Sequence, residues 1–128
     1  MEFEIMIKEA EKVLDKSENA EGVVTSFLTD KGNLYNDFSQ SFEDEFYKVT
    51  TVLKDMIATG ETRILKLVCV FKFGKHKGLE LPSGWYRRFL YDMNNNNLNT
   101  KVILQGKDNL IIKDIRMISI IKDGVFVG

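Results

Sequence analysis

The chain has 128 residues, 44% of them hydrophobic and 29% charged, with a formal net charge of −1; this suits one compact core and excludes intrinsic disorder. Its longest apolar run is five residues, Leu67 to Phe71, far below the roughly 20 that cross a bilayer as a helix. The single cysteine, Cys69, excludes an internal disulfide, and Glu2 and Glu4 stand where a secretory signal needs basic residues, so a cytoplasmic location is expected.

Phe3, Met6, Ile7, Ala10, Val13 and Leu14 recur at helical spacing and predict a helix over residues 2–16, ended by the polar stretch 17–22. The β-branched and aromatic run Val23 to Leu28 predicts a strand, the loop Asp30-Lys31-Gly32-Asn33 a turn, and Leu34 to Phe38 the returning arm of a hairpin. Ser41-Phe42-Glu43-Asp44 has the form of a capping box. It predicts a long helix with Phe42, Phe46, Val49, Leu53 and Ile57 on one face and Gly60 as its stop.

Thr62 to Phe73 reads as a long central strand with Leu65, Leu67, Cys69, Phe71 and Phe73 on one apolar face. After a loop at Gly74 to Gly78, Pro82-Ser83 opens a short helix in which Trp85, Phe89, Leu90 and Met93 face inward and Arg87, Arg88, Tyr91 and Asp92 outward. The run Asn94 to Asn97 is loop composition. Strands over residues 101–105, 110–115, 117–121 and 125–127 then predict a C-terminal β meander. Together these elements give a single α+β domain over residues 1–128, with about three helices on a largely antiparallel sheet.

The familiar catalytic signatures are missing: no glycine-rich nucleotide loop, no G-x-S-x-G and no H-E-x-x-H occurs. Cys69 with His76 is the whole supply of soft metal donors, too few for a structural zinc site, so no metal or cofactor is expected. His76, between Lys75 and Lys77, reads as a loop residue without an identifiable nucleophile, and Cys69 as a core thiol. Charge is unevenly spread, with 14 acidic against 6 basic residues through Glu61 and 12 basic against 5 acidic beyond it.

Two patches follow from that asymmetry. Glu43, Asp44 and Glu45 form the densest acidic cluster, suited to a helix N-terminus or to a basic partner. Lys75, His76, Lys77, Tyr86, Arg87, Arg88 and Tyr91 form a basic and aromatic segment of the residue types that carry binding energy at protein interfaces. The leading expectation is therefore a non-enzymatic protein-binding module, in its most concrete form a small bacterial immunity protein that occludes the active site of a toxin. The alternatives are a nucleic-acid-associated module using segment 71–91, against which a pI near 5.9 argues, and a small enzyme built on dispersed carboxylates. A homo-oligomer is compatible with each; a membrane partner is not expected.

Overall fold

A computed structural model describes residues 1–16, 21–39, 50–105, 111–116, 121–122 and 125–126. Helix α1 spans Phe3–Asp15, and its 3.6-residue repeat buries Met6, Ala10 and Leu14. The hairpin follows as strands β1 (Gly22–Thr29) and β2 (Leu34–Ser39), paired antiparallel from Leu28↔Leu34 to Val23↔Ser39. Gly32, at φ +84°, supplies the left-handed residue that the turn requires.

Gly22 has a different task at the far end of the hairpin. A Cβ there would lie 2.4 Å from the Ser39 carbonyl oxygen. Gly22→Ala is accordingly expected to force the two strand ends apart and to cost about 1–3 kcal/mol, the usual range for overpacking. Urea unfolding measures it, and an unchanged midpoint would contradict the close approach.

Helix α2 spans Thr51–Ala58 and strand β3 spans Ile64–Phe73. Strand β4 (His76–Glu80), helix α3 (Gly84–Met93), a 3-10 turn over Asn95–Asn99, and strands β5 (Lys101–Gln105) and β6 (Ile111–Arg116) complete the main sheet. The order is β2-β1-β3-β5-β6, with β4 sharing the β3 edge with β5. Only the β3–β5 pairing is parallel among the described strands, so α3 is a crossover helix inside a β-α-β unit that the sequence reading did not anticipate.

The sheet is covered on both faces. Strand alternation sends Val24, Leu28, Val68 and Val70 to the α1 side, where they meet Met6, Ala10 and Leu14. Val23, Phe27, Leu67 and Cys69 go to the other side, against Leu53 and Met56 of α2 and Tyr86 and Leu90 of α3. A register shift between Leu28 and Thr29 slips the alternation at the start of β3. Ile64 is therefore buried and Leu65 is 41% exposed, the reverse of the expected faces.

The expected α+β class stands, with three α-helices among the described residues and a mostly antiparallel sheet. Three elements are corrected, the first being the expected loop Gly74 to Gly78, inside which strand β4 begins at His76. Thr50 is extended and caps α2, its hydroxyl accepting from the Leu53 N–H, so no single helix runs from Phe42 to Ile57; the capping box at Ser41 lies outside the described residues. Among the described residues the C-terminal strands do not continue one meander, because β7 (Ile121–Lys122) and β8 (Val125–Phe126) pair with each other in a separate two-stranded ladder; residues 117–120 of the expected strand 117–121 lie outside the described residues. No helix among the described residues is long and apolar enough to cross a membrane.

Candidate functional site at the first turns of α2 and α3

Alternation along β2 places Asp37, opposite Thr25, on the sheet face that carries α2 and α3. Asp37 is 3% exposed, and a buried carboxylate needs donors. Two helices supply them. The Thr50 hydroxyl, at the cap of α2, donates to Asp37 Oδ2 at 3.0 Å. The Tyr86 hydroxyl, in the first turn of α3, donates to the same oxygen. Tyr86 is held in place because its backbone N–H donates to the N-cap hydroxyl of Ser83 at 3.2 Å. Burial, reinforced by the Asp37 charge, pushes the Tyr86 phenol well above its ordinary value, so it stays a donor.

Strand register extends this point into a lateral row. Asp37 pairs with Thr25, Thr25 with Cys69, and Cys69 with Glu80, one residue from each of β2, β1, β3 and β4. With neighbouring strands about 4.8 Å apart, the row spans about 14 Å. The Thr25 hydroxyl and the Cys69 sulfur are 3.6 Å apart. Burial pushes the Cys69 thiol up to about 12, so it is protonated and a poor nucleophile. Glu80, half-buried at the β4 end, also has its carboxyl raised by burial. Arg87, 1% exposed, lies 3.5 Å from the Ser83 carbonyl through Nε. Partly buried rings border the row, with Trp85 stacked on Phe89 at 5.3 Å and Phe71 on Phe73 at 6.5 Å.

A second buried carboxylate, Glu61, follows directly from the end of α2. Gly60 takes φ +78°, its N–H donates to Ile57 O and that of Glu61 to Met56 O, which is the Schellman closure expected at this glycine. The closure aims Glu61 at the hairpin, where it accepts from Thr29 and Asn33 at 2.7 Å each, from Thr59 at 3.1 Å and from Tyr35. These donors, Tyr35 foremost, hold its carboxyl at about 2 against an ordinary 4.5, outweighing desolvation. Every donor is neutral, so the cluster fastens the hairpin to the α2–β3 connection and has no reactive group of its own.

Because the folded pKa is depressed, the stabilisation is complete above the unfolded value near 4.5 and is lost as the pH falls toward 2. The wild type is therefore expected to exceed Glu61→Gln in urea midpoint at neutral pH, and that advantage should vanish by about pH 2. An advantage independent of pH would contradict the arrangement.

The basic and aromatic segment does not form one surface. Tyr86 and Arg87 are 4% and 1% exposed, so they are not outward anchors; α3 turns the stripe Tyr86, Arg87 and Leu90 toward the sheet. Lys75, His76 and Lys77 are exposed on the β3–β4 hairpin, where Lys77 pairs with Glu11 of α1 at 2.9 Å. Arg88 is exposed and pairs with Asp92 at 3.2 Å, and Tyr91 is half-buried. Glu43, Asp44 and Glu45 lie outside the described residues. Asp37, Glu61 and Glu80 were not singled out from the sequence. The readable signal was a carboxylate on an otherwise inward-facing strand position at Asp37 and one directly after a helix-ending glycine at Glu61.

No protein-family model and no curated protein matches the sequence. Solved structures do. The chain is similar to the cytidine deaminase from Burkholderia pseudomallei, at 15% identity and a TM-score of 0.65, covering 96% of this chain and 98% of that one. It is equally similar to a point variant of the cytidine deaminase from Mycobacterium tuberculosis, at 17% identity and a TM-score of 0.64, covering 100% and 99%. The fold is thus that of the cytidine deaminases. The expectation of a non-enzymatic, toxin-neutralising immunity protein is corrected by this finding, since the chain carries an enzyme's fold from end to end. Of the basic residues on which the nucleic-acid alternative relied, Arg87 is buried, whereas Lys75, Lys77 and Arg88 are exposed.

Zinc-dependent base deaminases hold their metal with His and Cys or with three Cys, in an H-x-E…P-C-x-x-C pattern. The residues here do not fit that metal. The chain's one proline opens Pro82-Ser83-Gly84-Trp85-Tyr86, where the two places that the pattern gives to cysteine hold Ser83 and Tyr86. The only Cys and the only His are four residues apart along the β3–β4 ladder, because Cys69 pairs with Glu80 while Phe73 pairs with His76. That separation is about 13 Å at 3.3 Å per residue, whereas two zinc ligands each lie about 2.0–2.3 Å from one ion. Among the described residues no three His, Cys, Asp or Glu side chains are grouped to hold a metal.

Proposed function

We propose that the chain takes a nucleoside-type ligand, a nitrogen heterocycle on a sugar, where α2 and α3 begin. The observation that carries this reading is the convergence of both first turns on a row with a carboxylate at each end, Asp37 and Glu80. Two solved cytidine deaminases that align with nearly the whole chain support the ligand class. Phe71, Phe73 and Trp85 offer ring faces for a base. Glu80 is the proton-exchanging group, since burial raises its carboxyl and leaves it only partly covered. No step runs through zinc. The lone cysteine supports a cytoplasmic setting.

A panel of cytidine, adenosine, uridine and guanosine in zinc-free buffer tests the reading by thermal shift and by ammonia release. An amine-bearing nucleoside is expected to raise the Tm by several degrees and, as a water oxygen replaces the ring amine, to release ammonia at a rate abolished in Glu80→Gln. A shift without ammonia would overturn the role of Glu80. Neither signal across the panel would overturn the ligand class.

A further inference from the structure

We propose that Asp37 replaces the metal in this chain: one carboxylate oxygen joins the first turns of α2 and α3, through Thr50 and Tyr86, where zinc would be expected on this fold. Both positions that would supply cysteine ligands are already committed to other bonds. Ser83 accepts from the Tyr86 N–H at 3.2 Å as the cap of α3. Tyr86, three residues later on the same side of the turn, donates its hydroxyl to Asp37 Oδ2. That oxygen also accepts from Thr50 at 3.0 Å, so strand β2 and both helix starts meet at a single atom.

The chemistry of the groups favours protons over a metal here. A phenol binds zinc through its ionised form, and both burial and the adjacent carboxylate keep Tyr86 protonated. A protonated phenol and an alcohol are instead good donors to an ionised acceptor, and such charge-assisted bonds are short and strong. The carboxylate is thereby compensated inside an apolar layer that includes Val23, Phe27 and Leu53. Had a cation been needed, Cys69 is the nearest thiol in the row, but it is protonated up to about pH 12 and is bonded to Thr25.

The inference does not rest on the ligand proposed above, and its test reads no activity. The full chain is produced in zinc-supplemented medium, its metal content is measured after gel filtration, and its Tm is recorded with and without EDTA. Substoichiometric zinc and a Tm unmoved by EDTA are expected. Tyr86→Phe, which loses its bond to Asp37, and Thr50→Val, which loses its bond to Asp37 together with the α2 cap, should both lower the Tm, equally with and without EDTA, and Thr50→Ser, which keeps both, should not. Stoichiometric zinc, a wild-type Tm that falls in EDTA, or Tyr86→Phe and Thr50→Val variants whose Tm matches the wild type would each overturn the proposal. The last outcome would leave the deaminase fold untouched and remove only the tie.

Discussion

Asp37→Ala is expected to lower stability by about 3–6 kcal/mol, because the hydrogen bonds from Thr50 and Tyr86 to a charged acceptor are lost at about 1.5–3 kcal/mol each. In a chain of this length that corresponds to a fall in Tm of roughly 10–20 °C. The loss is large because Tyr86 stays buried with its hydroxyl facing a vacated position and Thr50 loses the partner that fixes the start of α2. Thermal unfolding followed by circular dichroism reads it. A drop of only a degree or two would mean that the helix starts are held by apolar packing alone.

Asn97→Ala is the second large effect, placed at the opposite end of α3. Asn97 is fully buried; its Nδ2 donates to Leu90 O at 2.8 Å and Thr62 O at 3.0 Å, and its Oδ1 accepts from the Ile64 N–H at 2.9 Å. One side chain therefore fastens the end of α3 to the first residues of β3. Its removal leaves the buried Ile64 N–H and the Thr62 carbonyl without this partner and takes one of two donors from the Leu90 carbonyl, which still accepts from the Asn94 N–H; the expected cost is about 3 kcal/mol. Urea unfolding should show the lower midpoint with an unchanged slope. Asn97→Asp, which keeps the acceptor and loses the donor pair, should be similarly damaging at neutral pH; a neutral result for both would refute the role.

The parts of this fold that were legible in the sequence are those governed by local physics. The 3.6-residue repeat of Met6, Ala10 and Leu14 gave α1 almost to the residue, Gly32 marked the hairpin turn, Gly60 the end of α2, and Ser83 the start of α3. The site was not legible, because Asp37, Thr25, Cys69 and Glu80 come from four strands and are neighbours only through register. Strand β4, His-Lys-Gly-Leu-Glu, lacks the alternating apolar pattern of a half-buried strand, so its pairing with β3 carried no signal. Tyr86 and Arg87 were misplaced because hydropathy sends an arginine outward, whereas here the helix turns toward a polar row and buries it. The asparagine run read as loop, yet it holds the buried Asn97. Asp37 and Asn97 share one feature, a polar side chain whose partners lie far away in the sequence.

Asp37 and Tyr86 act as a pair that closes the first turn of α3 onto the sheet. A double-mutant cycle with Asp37→Asn, Tyr86→Phe and the combination, read by urea unfolding at pH 7, measures that pair directly. A coupling of about 1–3 kcal/mol between the two positions is the predicted result. Additivity within about 0.5 kcal/mol, the behaviour of independent sites, would contradict it.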